Sequence, residues 1–428
     1  MSIFLNDIIY QIYVRDYTEE GTLSALCEKL DYIKSLDVSI IQLLPIHPIG
    51  KLDKLGTYGS PYSISDYEKI NPDFGNISDL KKLIKECHRR GLKLILDVVI
   101  NHTSKDAKLL KNHPEYYLKK DGKITRKFEA FTDVLDLDYH SEDLQKYMID
   151  MLKRYLSLGV DGFRFDVCSL LDKDFLKRAL TELKKEKEDV VLIGEAVNSS
   201  FIEYVRSINY HCYSNQEMFQ CGFDALYHYV SFDPLLKFFE TKKIDDLLKY
   251  KGALNVENYT ICEEGFIIRS IENHDQRRIA SLSDVDSFIK SVFSFSLFTR
   301  GPGFIYNGEE CKNSKRLNFF EKEDIDFTIH DKNYSDFVMK NIRLKRRESN
   351  KDLHLSMIVD SNKKTLAIKN LYNDGHYEIG IFNFEEKECR VTVNIDDGEY
   401  IDLLTDKHYM IKKHSFTIND PVILVKVN

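Results

Sequence analysis

From residue 8 onward, short apolar runs alternate with amphipathic helical stretches for three quarters of the chain. Ile8–Val14 reads as a strand. Leu23–Leu36 carries apolar residues at Leu23, Leu26, Leu30, Ile33 and Leu36, the spacing of one helix face. Ile40–Leu44 is the next strand, Leu80–Arg90 a helix stopped by Gly91, and Leu92–Ile100 the third strand. Asp143–Leu158 follows as a helix, with Ser141 as its expected N-cap and Gly159 as its stop. Then come strand Val160–Phe165, helix Phe175–Lys187 and strand Val190–Ile193. Phe266–Ile271 and Gly303–Tyr306 are later strands, separated by the apolar helix Val285–Thr299. Strands joined by helices demand a parallel sheet with crossovers, because a parallel neighbour cannot be reached by a hairpin.

Eight such units close a barrel at about 30 residues each. Asp166 and Glu195 are 29 positions apart, one unit, and Glu195 and Asp275 are 80 apart, between two and three. The interval from Asp97 to Asp166, 69 positions, exceeds one unit, and the surplus lies in the polar, irregular stretch 101–138. The expected fold is an α/β TIM (β/α)8 barrel over 1–100 and 139–345, with 101–138 inserted after strand 3. Beyond residue 350 the pattern changes to short strands at Thr365–Asn370, Tyr377–Phe384, Arg390–Ile395, Tyr400–Leu404 and Val422–Val427, punctuated by Asn373-Asp374-Gly375 and Asp396-Asp397-Gly398. This predicts an antiparallel β-sandwich domain over 350–428.

Charge and cysteine usage narrow the partners. The 61 Lys and Arg against 69 Asp and Glu leave a net charge of −8, which argues against nucleic acid as a partner. No run of 18 uncharged apolar residues occurs, and the first residues lack a basic-then-apolar leader, so neither a membrane span nor a standard export signal is expected. The eight cysteines are scattered, with no C-x-x-C pair and no finger-spaced histidine. Reduced thiols, a cytoplasmic location and no zinc site are the corresponding expectations.

Four polar segments fall where barrel strands should end: Asp97-Val-Val-Ile-Asn101-His102, Gly162-Phe-Arg164-Phe-Asp166, Ile193-Gly-Glu195 and Glu272-Asn-His274-Asp275. Polar groups at the C-terminal ends of barrel strands line the active face. Arg164 and Asp166 are two apart on a strand and share one face, so the guanidinium is expected to hold Asp166 ionised. Glu195 closes the next strand, and adjacent strands, about 4.8 Å apart, bring two carboxyls within the ~5 Å of a retaining glycosidase. Asp275, a third carboxylate, would raise the pKa of a neighbour and favour a protonated acid, the role assigned to Glu195. Each residue alone has a plainer reading, as a helix cap, turn former or ion pair. Together, in this order, they suit a barrel enzyme acting through carboxylates equally well.

The ordered set resembles the motifs of the α-amylase superfamily of glycoside hydrolases (family 13). Ile9-Tyr10-Gln-Ile-Tyr-Val-Arg15 resembles its first strand, and Leu44-Pro45-Ile-His-Pro with Gly59-Ser-Pro-Tyr62 its second strand and loop. Asn71-Pro-Asp-Phe-Gly75, Leu135-Asp-Leu-Asp138 and Pro302-Gly-Phe-Ile-Tyr306-Asn-Gly-Glu follow in order. The resemblance implies that Asp166 is the nucleophile, Glu195 the acid/base and Asp275 the third essential carboxylate. It implies that Tyr62, His102, Arg164 and His274 bind the sugar at the cleaved position, with Tyr62 as aromatic platform, and that Asp97 supports the site. An α-glucan or oligosaccharide is the implied substrate. Transfer to a sugar or phosphate acceptor through the same glycosyl intermediate is the alternative; a non-catalytic glucan-binding protein is the other.

Two departures bear on metals. The loop after the first strand, Tyr17-Thr-Glu-Glu-Gly-Thr, lacks the acidic ligand pattern of many relatives. Secreted relatives bind calcium between Asn101, the insert and a residue four after the nucleophile, often His; here it is Leu170. No cofactor and no metal are therefore expected, although a backbone carbonyl at that point leaves calcium open.

Overall fold

The computed structural model describes residues 3–260, 265–328, 331–361 and 364–427. Eight strands form one nearly closed parallel barrel sheet: β1 (Ile8–Ile12), β2 (Ile40–Leu43), β3 (Lys93–Val98), β4 (Gly162–Phe165), β5 (Val191–Gly194), β6 (Ala225–Tyr227), β7 (Phe266–Ile268) and β8 (Gly303–Tyr306), in the order β7-β6-β5-β4-β3-β2-β1-β8. All residues of β1, β2, β4, β5 and β8 are buried, as expected of strands covered on both faces. The register pairs Asp97 with Arg164 and Phe165 with Gly194, which sets the neighbours at the strand ends.

The helices follow the sequence pattern with shifted ends. Glu142–Ser157 starts at Ser141, whose side chain accepts the Leu144 N–H, as expected of that cap. Asn76 caps Ile77–Arg89 in a capping box with Asp79. The helix expected over Leu23–Leu36 is two helices, Leu23–Glu28 and Leu30–Ser35. The Lys29 N–H reaches back to Leu26 as well as Cys27, a 3₁₀-like tightening that breaks the ladder while leaving Leu23, Leu26, Leu30 and Ile33 buried. The first strand ends at Ile12, and Val14–Tyr17 turns into a short helix.

The chain forms two compact units, Tyr10–Tyr227 with Leu317–Ile325, and Phe4–Ile9 with His228–Arg316 and Asp326–Asn428. Within the first, the stretch after β3 starts as a ladder of His102–Ser104 against Val134–Asp136. Within the second, Leu353–Val359, Thr365–Tyr372, Tyr377–Asn383, Val422–Lys426, Gly398–Asp402 and His408–Ile411 make a six-stranded antiparallel sheet, beside the pair Cys389–Thr392 and Ser415–Ile418. Ala367, Ile379 and Ile381 from the sheet share one core with Val391, Phe416 and Ile418 from the pair. The described cysteines are free thiols, and Cys262 lies outside the described residues. No described helix is long and apolar enough to cross a membrane.

Candidate active site

Arg164 organises the polar end of β3, β4 and β5. Its side chain is 2% exposed, and strand alternation points it to the same face as Asp166. Nη1 donates to both oxygens of Asp97, at 2.9 and 3.0 Å, and to Oδ1 of Asp166 at 3.0 Å. Nη2 lies 2.9 Å from Oε2 of Glu195. One guanidinium thus serves three buried carboxyls. The Tyr62 hydroxyl donates to Asp97 Oδ2 at 3.0 Å, and the rings of Tyr62 and Tyr227 lie 6.0 and 5.7 Å from the Arg164 guanidinium carbon.

The charge balance corrects the expectation for Asp166. Burial pushes its carboxyl well above the ordinary range, and the Glu195 charge adds to the rise; Arg164 opposes both, and Asp97 adds again. A single cation does not offset desolvation plus two like charges. The Asp166 carboxyl therefore holds a proton more readily than an isolated carboxyl does.

The turn after Asp166 holds Glu195 from the other side. Val167 donates its N–H to Glu195 Oε2 at 2.9 Å, and the Cys168 thiol donates to the Glu195 carbonyl at 3.3 Å. Val167 has φ 38° and ψ 44°, left-handed backbone that a β-branched side chain adopts only under constraint. Its side chain packs on the apolar cluster of Phe128, Leu170, Val205 and Cys212.

His102 sits at the start of the inserted ladder. Asn101 is oriented by two contacts: Nδ2 donates to Asp136 Oδ1 at 2.8 Å, and Oδ1 accepts from the Lys127 ammonium at 2.9 Å. The same Nδ2 lies 3.1 Å from His102 Nδ1, which must then be an acceptor, so the proton sits on Nε2. Burial depresses the pKa of His102 and keeps the ring neutral. It also bonds the Tyr62 backbone, so Tyr62, His102, Arg164, Asp166 and Glu195 belong to one connected set.

In the second unit, the segment after β7 carries His274, 4% exposed, and Asp275, whose side chain is 43% exposed. His274 Nε2 lies 3.0 Å from Asp275 Oδ2, and Asp275 N–H donates to Asn273 Oδ1 at 2.9 Å. Beneath them Glu272 accepts from Arg278 Nη1 at 2.7 Å and from the Ile279 N–H at 2.5 Å. Arg278 also donates to the Asn307 carbonyl, and its guanidinium lies 4.3 Å from the Tyr306 ring centre. Lys127, Asp136, Val167 and Arg278 were missed as site residues. Asp136 lay in a marked motif and Arg278 three positions after Asp275; Lys127 and Val167 had no local signal.

The chain matches the family model "Alpha amylase, catalytic domain" over residues 11–364. It belongs to the alpha-amylase family. Residues 359–424 match the bacterial alpha-amylase C-terminal domain. The chain is 28% identical to Alpha-amylase 3 of Dictyoglomus thermophilum over 348 residues, covering 72% of this chain and 64% of that protein. It is 26% identical over 410 residues to an oligo-1,6-glucosidase of Heyndrickxia coagulans, covering 78% and 71%. Among solved structures, an alpha-amylase from Lactobacillus plantarum superposes with a TM-score of 0.89 at 30% identity, covering 99% of both chains.

Proposed function

We propose that this alpha-amylase family member is a retaining glycoside hydrolase that cleaves α-glucosidic bonds of maltooligosaccharides or related α-glucosides. The observation that carries the reading is the bridging of Asp166 and Glu195, both buried, by one guanidinium. In the reactive form the proton is on Glu195 and Asp166 is ionised. Asp166 attacks the anomeric carbon while Glu195 gives its proton to the leaving oxygen, and the glycosidic C–O bond breaks. Glu195, now a carboxylate, takes a proton from water; the hydroxide oxygen bonds the anomeric carbon and Asp166 is released. Two inversions leave the α anomer.

Asp275 binds sugar hydroxyls and stabilises the oxocarbenium-like transition state, a role supported by the family motif and its place after β7. Tyr62 supplies the platform, and His102, Arg164 and His274 bind the same sugar. The barrel over 1–100 and 139–345, the insert over 101–138 and the β domain over 350–428 are the corresponding domains. The free thiols support a cytoplasmic enzyme, and the net charge of −8 supports no nucleic-acid partner.

Incubation with α-1,4, α-1,6 and α-1,1 glucosides, followed by proton NMR, tests the reading. Turnover with first-formed α anomer, abolished in Asp166→Asn, is expected; full activity in Asp166→Asn refutes the mechanism. Products longer than the substrate, or sugar phosphates, would replace hydrolysis with transfer.

A further inference from the structure

The site at which calcium-binding relatives would hold their metal joins three segments: the end of β3 at Asn101, the insert at Asp136, and the turn after Asp166 at Leu170. In this chain those segments converge on an ammonium. The Lys127 Nζ donates to Asn101 Oδ1 at 2.9 Å and to the Leu170 carbonyl at 3.3 Å, and lies 3.7 Å from Asp136 Oδ1. The side chains of Lys127 and Asp136 are 12% and 5% exposed. Lys127 N–H also donates to Asp136 Oδ2 at 2.7 Å, so the residue is bound to the carboxylate by main chain and side chain alike.

These residues do not fit a divalent cation. Calcium takes 6–8 oxygen ligands at about 2.3–2.6 Å. The cluster offers three oxygens around Nζ at the longer separations of ammonium hydrogen bonds, with a single carboxylate among them. The Asn101 amide nitrogen faces Asp136 and His102, leaving only its carbonyl toward the cation. Lys127 and Asp136 already balance in charge, and a second cation within a few ångströms of the ammonium would be repelled in a poorly solvated space.

We propose that Lys127 is a covalently tethered cation that takes the structural place of calcium and makes this region metal-independent. The ammonium clamps the insert to the turn that carries Asp166. Through Asn101 it also fixes the tautomer and orientation of His102. A lysine donates at most three hydrogen bonds and cannot leave the site on dilution or chelation, so the clamp costs nothing in metal affinity.

Thermal melts and calorimetric titration test this without reference to turnover. Wild type is expected to keep its melting midpoint in EDTA and to show no stoichiometric heat with calcium chloride. Lys127→Gly leaves the three oxygens around a vacant cation-sized space; its midpoint should fall by roughly 5–10 °C, as for one partner of a buried pair removed from a large chain. Propylammonium chloride should restore part of that loss, and calcium chloride should restore none of it. Lys127→Met fills the space without charge and should fall without rescue by either salt. Stoichiometric calcium binding by wild type, or an EDTA-sensitive midpoint restored by calcium, overturns the proposal. So does a Lys127→Gly midpoint equal to wild type. Should Lys127→Gly fail to fold, the wild-type chelation and titration arms still decide.

Discussion

Val167 donates its N–H to Glu195 Oε2 across 2.9 Å from backbone held at φ 38°. Among the described non-glycine residues with positive φ, the others are Asp, Asn, Lys, Glu and His, so Val167 alone is β-branched. Its packing on Phe128 and Leu170 holds the conformation that a valine otherwise avoids. Val167→Gly keeps the N–H and accepts the left-handed region, but loses the anchor. The expected result is a kcat lowered several-fold with KM little changed. Strain relief and lost packing oppose each other, so the melting midpoint should move by only a few degrees. Steady-state kinetics beside a thermal melt checks both halves.

Arg164→Met leaves Asp97, Asp166 and Glu195 buried without their shared cation. Removing one member of a buried ionic cluster costs about 3–5 kcal/mol, and turnover should fall by orders of magnitude. The deficit depends on pH. Without the guanidinium the carboxyls take up protons more readily, so the variant regains stability relative to wild type as pH falls. Urea unfolding at pH 5 and pH 8 should show the larger deficit at pH 8.

Asp16 follows β1 and is 0% exposed, with Oδ1 accepting the Glu323 N–H at 3.3 Å. Burial raises its carboxyl pKa from 3.8 to about 7, against the opposing pull of the Glu323 N–H. A folded pKa above the unfolded one means that stability present below about pH 4 is lost as pH rises through about 7. Asp16→Asn removes the charge that burial penalises. It should match wild type near pH 4 and exceed it at pH 8, on the order of 1–4 kcal/mol by the scale of pKa linkage, read from urea midpoints across pH.

Lys345 is the mirror case in the second unit. Its Nζ donates to the Thr299 carbonyl at 3.1 Å, and burial, aided by Arg269 and Arg300, lowers its pKa to about 7. Here the folded state resists the charged form, so its penalty is full below about pH 7 and fades as pH rises from there toward the ordinary lysine value of 10.5. Lys345→Met should be more stable than wild type at pH 5, and the difference should narrow at pH 9. Equal midpoints at both pH values would refute this.

Local pattern carried the barrel strands, because a buried parallel strand needs a continuous apolar run and its crossover helix needs a 3.6-residue period. It also placed Asp97, Arg164, Asp166 and Glu195 on neighbouring strand ends, since the strand period and the 29-residue spacing leave little freedom. β6 went unread because Ala225–Tyr227 is three residues long, too short for any period to register. The break at Lys29 went unread for the opposite reason: the apolar spacing of Leu23–Leu36 runs through it undisturbed, while hydrogen bonding does not.

What the sequence by itself determined is which side chains meet at the ends of β3, β4 and β5. Only the tertiary structure decided their electrical state and their support. The Asp166 carboxyl is pushed up because desolvation and the fields of Glu195 and Asp97 outweigh Arg164, a sum over distances that no motif contains. Lys127 stands 26 positions from Asn101 and 43 from Leu170, so its ammonium reaches them only after the insert folds back onto the barrel. Coulomb energies and hydrogen bonds depend on separation in space, and that separation exists only once the chain has closed.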